Sequence, residues 1–199
     1  MVREKQRLSH LEKTRLHRVN TGLGPVNLMH ARYVTQVFAP HFHEGYCLGV
    51  IERGALGFRY MGENVVAPTG AVNLAVPGEV HTGQAADEAG WTYRMFYLGA
   101  DQLVAVASQM AGRKVSLPFF RAGVLFDPCL AAMIHRLHRH MDDPRAAALE
   151  KETGLLVVLT RMLRLYGEPR PAGFETGREP GPVEAAREYI HAHHDQDDQ

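Results

Sequence analysis

Between Tyr33 and Leu98 the chain alternates short apolar runs with glycine and proline. Tyr33–Phe38, Cys47–Glu52, Leu56–Tyr60, Ala71–Val76 and Thr92–Leu98 carry the β-branched and aromatic content of strands. Gly54, Gly62, Pro68-Thr69-Gly70, Pro77-Gly78 and Gly90 fall between them as predicted turns. Within one run, Leu56, Phe58 and Tyr60 alternate with small or charged residues, so only one of its faces is buried. Strands this closely spaced predict a sandwich or barrel.

After Gly99 the period becomes helical. Asp101 is placed to cap a helix carrying Leu103, Val104, Ala107 and Met110 and ended by Gly112. Asp127-Pro128 opens a second helix with Leu130, Ile134, Leu137 and Met141 on one side. Asp142-Asp143-Pro144 breaks it and starts a third, which runs to Tyr166 and stops at Gly167. On that helix Leu155, Leu156, Val158, Leu159, Met162, Leu163, Leu165 and Tyr166 cover roughly half the circumference, with Thr160, Arg161 and Arg164 opposite. So wide a face has two readings. Leu155, Leu159, Met162, Leu163 and Tyr166 pair with a second copy in a homodimer, or the preceding helix fills the whole face within one subunit.

The two ends differ from this middle. Val2 to Val19 mixes charges with Leu8, Leu11 and Leu16 and is expected to form a mobile arm or short helix outside the sheet. Residues 167–182 hold four prolines and four glycines, the composition of a linker. Val183 to Ile190 restarts helical spacing before a His/Asp/Gln tail, as the first helix of a truncated further domain or as a frayed terminal helix. The expected division is 1–20 arm, 21–112 barrel, 113–166 helical dimerisation region, 167–182 linker and 183–199 start of the truncated domain.

Composition narrows the function classes. A chain of 199 residues, 45% of them hydrophobic, can bury one core with helices beside it. The 22 basic and 22 acidic residues cancel, so the chain should hold DNA poorly by itself. Cys47 and Cys129 lie outside any Cys-x-x-Cys pattern, which fits a reducing cytoplasm. No apolar run reaches signal-peptide or membrane-spanning length, so a cytoplasmic protein without a membrane partner is expected.

The candidate chemistry lies in His41-Phe42-His43-Glu44-Gly45-Tyr46-Cys47 and Pro77-Gly78-Glu79-Val80-His81. On a strand, His41 and His43 project from one face, and Cys47 shares their parity. With His81 from a neighbouring strand they form a facial set for a divalent transition metal, zinc or nickel, an added thiolate favouring zinc. The competing reading keeps the histidines as structural groups or contacts to a small-molecule effector. Glu44 and Glu79 flank this group, either steadying an imidazole or ending a solvated loop. Alternation sends Trp91, Tyr93 and Tyr97 to one face and Arg94 to the other, and Trp91 is the best pocket candidate. His135, His138, His140, His191, His193 and His194 are assigned no function. No Ser-His-Asp set, phosphate-cradling glycine loop or paired-carboxylate site stands out.

The spacing His41-x-His43, three residues, Cys47, six residues, Gly54 resembles the first cupin motif, and Gly78-x-x-His81 resembles the second. Cupin metal sites usually carry Glu where this chain has Cys47. A tighter resemblance, over about Leu28 to Tyr166, is to the sensing domain of AraC/XylS-type transcription regulators. It rests on His41 to Tyr46, Gly49-Val50-Ile51-Glu52-Arg53-Gly54, Pro77 to Gly83 and Gly90-Trp91-Thr92-Tyr93-Arg94-Met95-Phe96-Tyr97. Val183 to His191 looks like the first helix of that family's DNA-binding domain. The resemblance implies a mainly β fold, a cupin-like double-stranded β-helix or jelly-roll barrel followed by a helical hairpin. It also implies a small-molecule effector bound by His41, His43, His81 and Trp91, a homodimer, and DNA contacted through the missing C-terminal domain. The alternative is a metal-dependent cupin enzyme, a dioxygenase or isomerase.

Overall fold

The computed structural model describes residues 11–169. The first ten residues of the predicted arm, the linker beyond Pro169 and the predicted terminal helix lie outside them. Among the described residues the strands are β1 (Lys13–Thr21), β2 (Gly24–Tyr33), β3 (Val37–His41), β4 (Tyr46–Tyr60), β5 (Glu63–Pro68), β6 (Val72–Ala75), β7 (His81–Ala85), β8 (Trp91–Leu98) and β9 (Val124–Leu125). Helices α1 (Ala100–Ala111), α2 (Pro128–Asp142) and α3 (Ala148–Tyr166) complete the fold. One antiparallel sheet runs β1-β2-β8-β4-β6-β9, and the later half of β4 belongs to a second, β3-β7-β4-β5. This is the expected cupin-like jelly roll with helices following it.

Strand β4 carries the topology. Its Tyr46, Leu48 and Val50 point outward under the helices, whereas Cys47 and Ile51 point into the barrel. A register shift between Ile51 and Arg53 reverses that parity, so beyond Gly54 it is Leu56, Phe58 and Tyr60 that face inward. Two predicted strands and the turn expected at Gly54 are therefore one bent 15-residue strand. Gly54, at φ +69°, bends the chain from one sheet into the other without reversing it.

Both faces of the first sheet are covered. Val26, Leu28, Leu48, Leu74, Phe96 and Leu98 pack beneath the helices, and Met29, Ala31, Ala75, Tyr93 and Met95 line the barrel interior. Double burial explains the nearly continuous apolar character of Tyr46 to Ile51.

Several expected boundaries move. The predicted arm joins the sheet from Lys13: β1 pairs with β2 from Lys13↔Arg32 to Thr21↔Gly24. Side chains on β1 are mostly exposed, Leu16 included, so it lacks the period-two apolar signature of a core-facing strand. Glu12 pins its start, one carboxylate oxygen accepting from the backbone N–H groups of Val34, Thr35 and Gln36. The middle of the strand expected over Tyr33–Phe38, Val34 to Gln36, is instead the bend between β2 and β3. The barrel therefore begins before the expected residue 21, and β9 adds a strand inside the stretch expected to be helical. Helix α1 begins one residue before Asp101, with Gly99 at its N-cap, because Gln102 reaches back to the Gly99 N–H. Helix α2 starts as expected, Asp127 accepting from the Leu130 N–H at 2.9 Å. Helix α3 starts at Ala148 rather than Pro144, since Asp143 and Arg145 form a turn closed by their own hydrogen bonds.

The wide face of α3 is filled within the subunit. Leu155, Leu159 and Met162 are fully buried and Leu163 nearly so, all in one cluster with α1, α2 and the sheet. The Tyr166 hydroxyl donates to Asp127, the α2 cap, at 3.0 Å. This corrects the expectation of a dimer seam for four of the five residues: the apolar area of Leu155, Leu159, Met162 and Leu163 is already spent on the core, while Tyr166 is half-buried beside it. Leu159→Glu should therefore unfold the subunit, with a loss on the order of 4 kcal/mol. Circular dichroism during urea titration would show it; a folded, merely dissociated protein would contradict the packing.

On the outer face of the first sheet, one polar seam crosses the apolar layer. Glu52 on β4 accepts from Arg94 Nε at 2.7 Å, from His30 Nε2 at 2.8 Å and from His135 Nε2 on α2 at 2.9 Å. Arg94 also donates to Asp142 and to His138 Nδ1, and His138 donates through Nε2 to the Met29 carbonyl. His135 and His138, given no role from sequence, thus tie α2 to the barrel wall.

Candidate functional site

The barrel interior collects one side chain in two from each wall. Strand β8 contributes Trp91, Tyr93, Met95 and Tyr97, β2 contributes Met29 and Tyr33, and β6 contributes Asn73 and Ala75. Phe38, Leu56 and Phe58 close the opposite side around a cavity of about 200 Å³. Tyr33 anchors the aromatic wall, with ring centroids 5.2 Å from Trp91 and 5.3 Å from Phe38. Arg94 is on the outer face, as its parity predicts.

At one end of this cavity the three predicted histidines converge. His41 ends β3 and pairs with His81 at the start of β7. His43 does not share a strand face with His41; it lies in the turn between β3 and β4. That turn is held by a hydrogen bond from the Gly78 N–H to the His43 carbonyl, 2.9 Å, so the Pro77-Gly78 turn brings His43 and His81 together. Ring centroids stand 4.4 Å apart for His41 and His81, and 5.1 Å for each of them with His43. Their ligating nitrogens all lie within 4.8 Å of one another.

The imidazoles are prepared to accept a ligand. His41 Nδ1 donates to the Ala39 carbonyl at 2.7 Å and His81 Nδ1 to the Glu79 carbonyl at 2.9 Å, leaving each Nε2 lone pair free. Burial, then the neighbouring His81 and His41, lowers the pKa of His43 to about 4, and burial likewise lowers that of His81. Neutral imidazole is the ligating form. Nitrogens on a metal at about 2.1 Å stand roughly 3–3.4 Å apart, inside the 4.8 Å limit that the three nitrogens meet here. The residues fit a divalent transition metal.

Cys47 is corrected. It lines the cavity but is not in the three-histidine group, because β4 holds it in the opposite sheet, paired with Tyr97 and Ala75. Complete burial also pushes its thiol pKa far up, favouring the neutral thiol. Glu79 is corrected as well: its carboxylate accepts from the Met61 N–H, and its backbone carbonyl is what steadies His81. Glu44 is exposed.

Two buried polar atoms on the cavity wall have no hydrogen-bond partner, Trp91 Nε1 and Asn73 Oδ1. Each such group costs about 1–3 kcal/mol unless a partner satisfies it. Trp91 was expected here. Asn73 was missed, although one amide inside the apolar run Ala71–Val76 was the available signal.

A jelly-roll barrel with an aromatic interior, unsatisfied polar atoms and a helical layer defines a small-ligand-binding domain of the cupin type. Residues 24–159 match the AraC-like ligand binding domain, and the chain belongs to that family. It is 27% identical over 135 residues to the uncharacterized HTH-type transcriptional regulator YbfI of Bacillus subtilis (strain 168), covering 68% of this chain and 48% of that protein. The chain thus spans about half the length of that relative. The crystal structure of the AraC-like transcriptional activator CuxR superposes with a TM-score of 0.51 at 11% identity, covering 98% of this chain and 74% of that one. An RmlC-like cupin protein from Methanocaldococcus jannaschii superposes with a TM-score of 0.38 at 12% identity, over 45% of this chain and 84% of that one.

Proposed function

We propose that this chain is the effector-sensing part of a transcription regulator, binding a small molecule in the barrel and passing its occupancy to an attached DNA-binding domain. The observation that carries the reading is the aromatic cavity with Trp91 Nε1 and Asn73 Oδ1 left unpaired in its wall. Family membership supports a ligand-binding rather than a catalytic role. In this reading DNA is contacted outside the described residues, and the protein works in the cytoplasm as a homodimer. Among the described residues no helix is long and apolar enough to cross a membrane. With the predicted seam consumed by the core, the dimer contact falls to the side of α3 that leaves Val157 and Leu165 half exposed. His41, His43 and His81 hold a zinc or nickel ion that helps bind the effector. For sensing, the effector must bind one arrangement of the α2 seam better than another, since equal affinity shifts nothing.

Trp91 is the only tryptophan of the chain, so its fluorescence reports on the cavity directly. Screening small organic ligands should find compounds that change the emission saturably and raise the melting temperature, with Asn73→Ala weakening them about tenfold. A screen in which no ligand moves either signal would overturn the reading. The three-histidine set also favours a second reading, a metal-dependent dioxygenase or isomerase. Consumption of the ligand or of oxygen, instead of reversible binding, would support it.

A further inference from the structure

A metal at His41, His43 and His81 creates a charge that the barrel does not balance. Neutral imidazoles leave a divalent ion with its full double charge. Among the described residues, the cavity lining includes no carboxylate, guanidinium or ammonium group. Cys47 is outside the histidine group, so it supplies no thiolate to the ion. The three histidines are half-buried, and on the cavity side the ion meets apolar and aromatic walls that favour a ligand of opposite charge. A ligand that brings its own negative charge supplies that balance in place of bound water or hydroxide.

The walls constrain the rest of that ligand. Tyr33, Phe38, Phe58, Trp91, Tyr93 and Tyr97 offer aromatic surface on several sides. A cavity of about 150 Å³ accommodates benzene, so the 200 Å³ here holds one ring with a few polar substituents. Trp91 Nε1 supplies an unused donor and Asn73 Oδ1 an unused acceptor.

The geometry points to a single-ring carboxylate with a second oxygen beside the carboxylate, bound through the metal, as the effector class of this barrel. The inference rests on the effector-pocket reading above. Three facial histidines leave adjacent coordination positions open to two oxygens. The carboxylate balances charge, the ring lies against the aromatic walls, and a proton leaving the second oxygen goes to solvent.

The test is calorimetric titration of the full chain, free of any histidine tag, with Ni(II) alone and then with salicylate, benzoate and benzyl alcohol in the presence and absence of Ni(II). About one nickel per chain is expected. Salicylate should bind at least about tenfold tighter with the metal than without it, benzoate should gain less, and neutral benzyl alcohol should not gain. His81→Gln should abolish the salicylate gain, and the wild type stripped by a chelator gives the same comparison should that variant not fold. Nickel bound with no gain for salicylate, or an equal gain for benzyl alcohol, would overturn the inference and leave the effector reading standing. Failure to bind nickel overturns it too, and the effector reading falls with it only when the Trp91 fluorescence screen is also empty.

Discussion

Gly54→Ala is expected to destabilise the protein by about 3 kcal/mol or more, the larger of two glycine effects that a urea titration can compare. Gly54 sits at φ +69°, where a side chain is already strained, and a Cβ there would overlap the carbonyl oxygen of Gly90. That oxygen belongs to the turn leading into β8 and accepts from the Ala55 N–H at 3.3 Å, so it cannot withdraw without opening the corner where β4 changes sheets. Gly62 is the control. Its φ of +81° is equally unfavourable, but a Cβ there meets nothing within 4 Å. Gly62→Ala should thus cost only the left-handed backbone, about 1–2 kcal/mol. Equal losses for the two variants would mean that the close approach at the corner does not matter. Because the same corner turns Leu56 and Phe58 into the cavity, residual folded Gly54→Ala should also bind ligands poorly.

Glu52→Ala should cost about 2–3 kcal/mol, by leaving Arg94 without its principal partner in the seam between barrel and α2. The side chains of Glu52 and Arg94 are 18% and 11% exposed, so solvent restores only part of what is lost, and Asp142 still accepts from Arg94. The seam also sets an acid limit. Burial works to raise the Glu52 pKa, but hydrogen bonds and charge from Arg94 and His30 outweigh it and hold the carboxyl below its usual 4.5. The native state then binds fewer protons than the unfolded chain, so this contribution is full above pH 4.5 and is lost as pH falls through the native value. His138 has the same sign for a different reason. Burial favours its neutral form and lowers its pKa from 6.5, an effect that Asp142 opposes and Arg94 reinforces. Its contribution fades as pH falls below 6.5. Stability measured against pH should therefore decline in two stages, with Glu52→Ala removing the lower one. A profile unchanged by that substitution would show that the seam is not what limits the fold in acid.

Much of this was legible in the chain, and the reasons it was or was not are local. Leu56–Tyr60 alternates cleanly, so its inward residues could be named in advance. Asp127-Pro128 combines a side-chain acceptor with a residue needing no donor, and α2 starts there. Strand β1 was not legible: hydrogen bonds to β2 hold it, and backbone pairing leaves no mark on an exposed edge. For the site, motif spacing singles out His41, His43 and His81, although the strand parity expected of His41 and His43 does not hold, and Trp91 follows from alternation on its strand. Asn73 carries no such signal, because a single polar residue in an apolar run reads equally well as a solvent-facing position.

What the sequence by itself determined is the set of local choices: which runs extend, where α2 begins, and that Trp91 and Arg94 take opposite faces. Tertiary structure decided everything that depends on distant partners. Leu155, Leu159, Met162 and Leu163 form a suitable apolar face for a second copy, and only the positions of α1, α2 and the sheet assign it to the subunit's own core. His43 lies off any strand, yet the Gly78 contact draws it to His81. Cys47 has the parity of a ligand, but the bend of β4 places it in the opposite sheet. Side-chain periodicity is a property of a few neighbouring residues, whereas burial and convergence depend on which elements fold against one another.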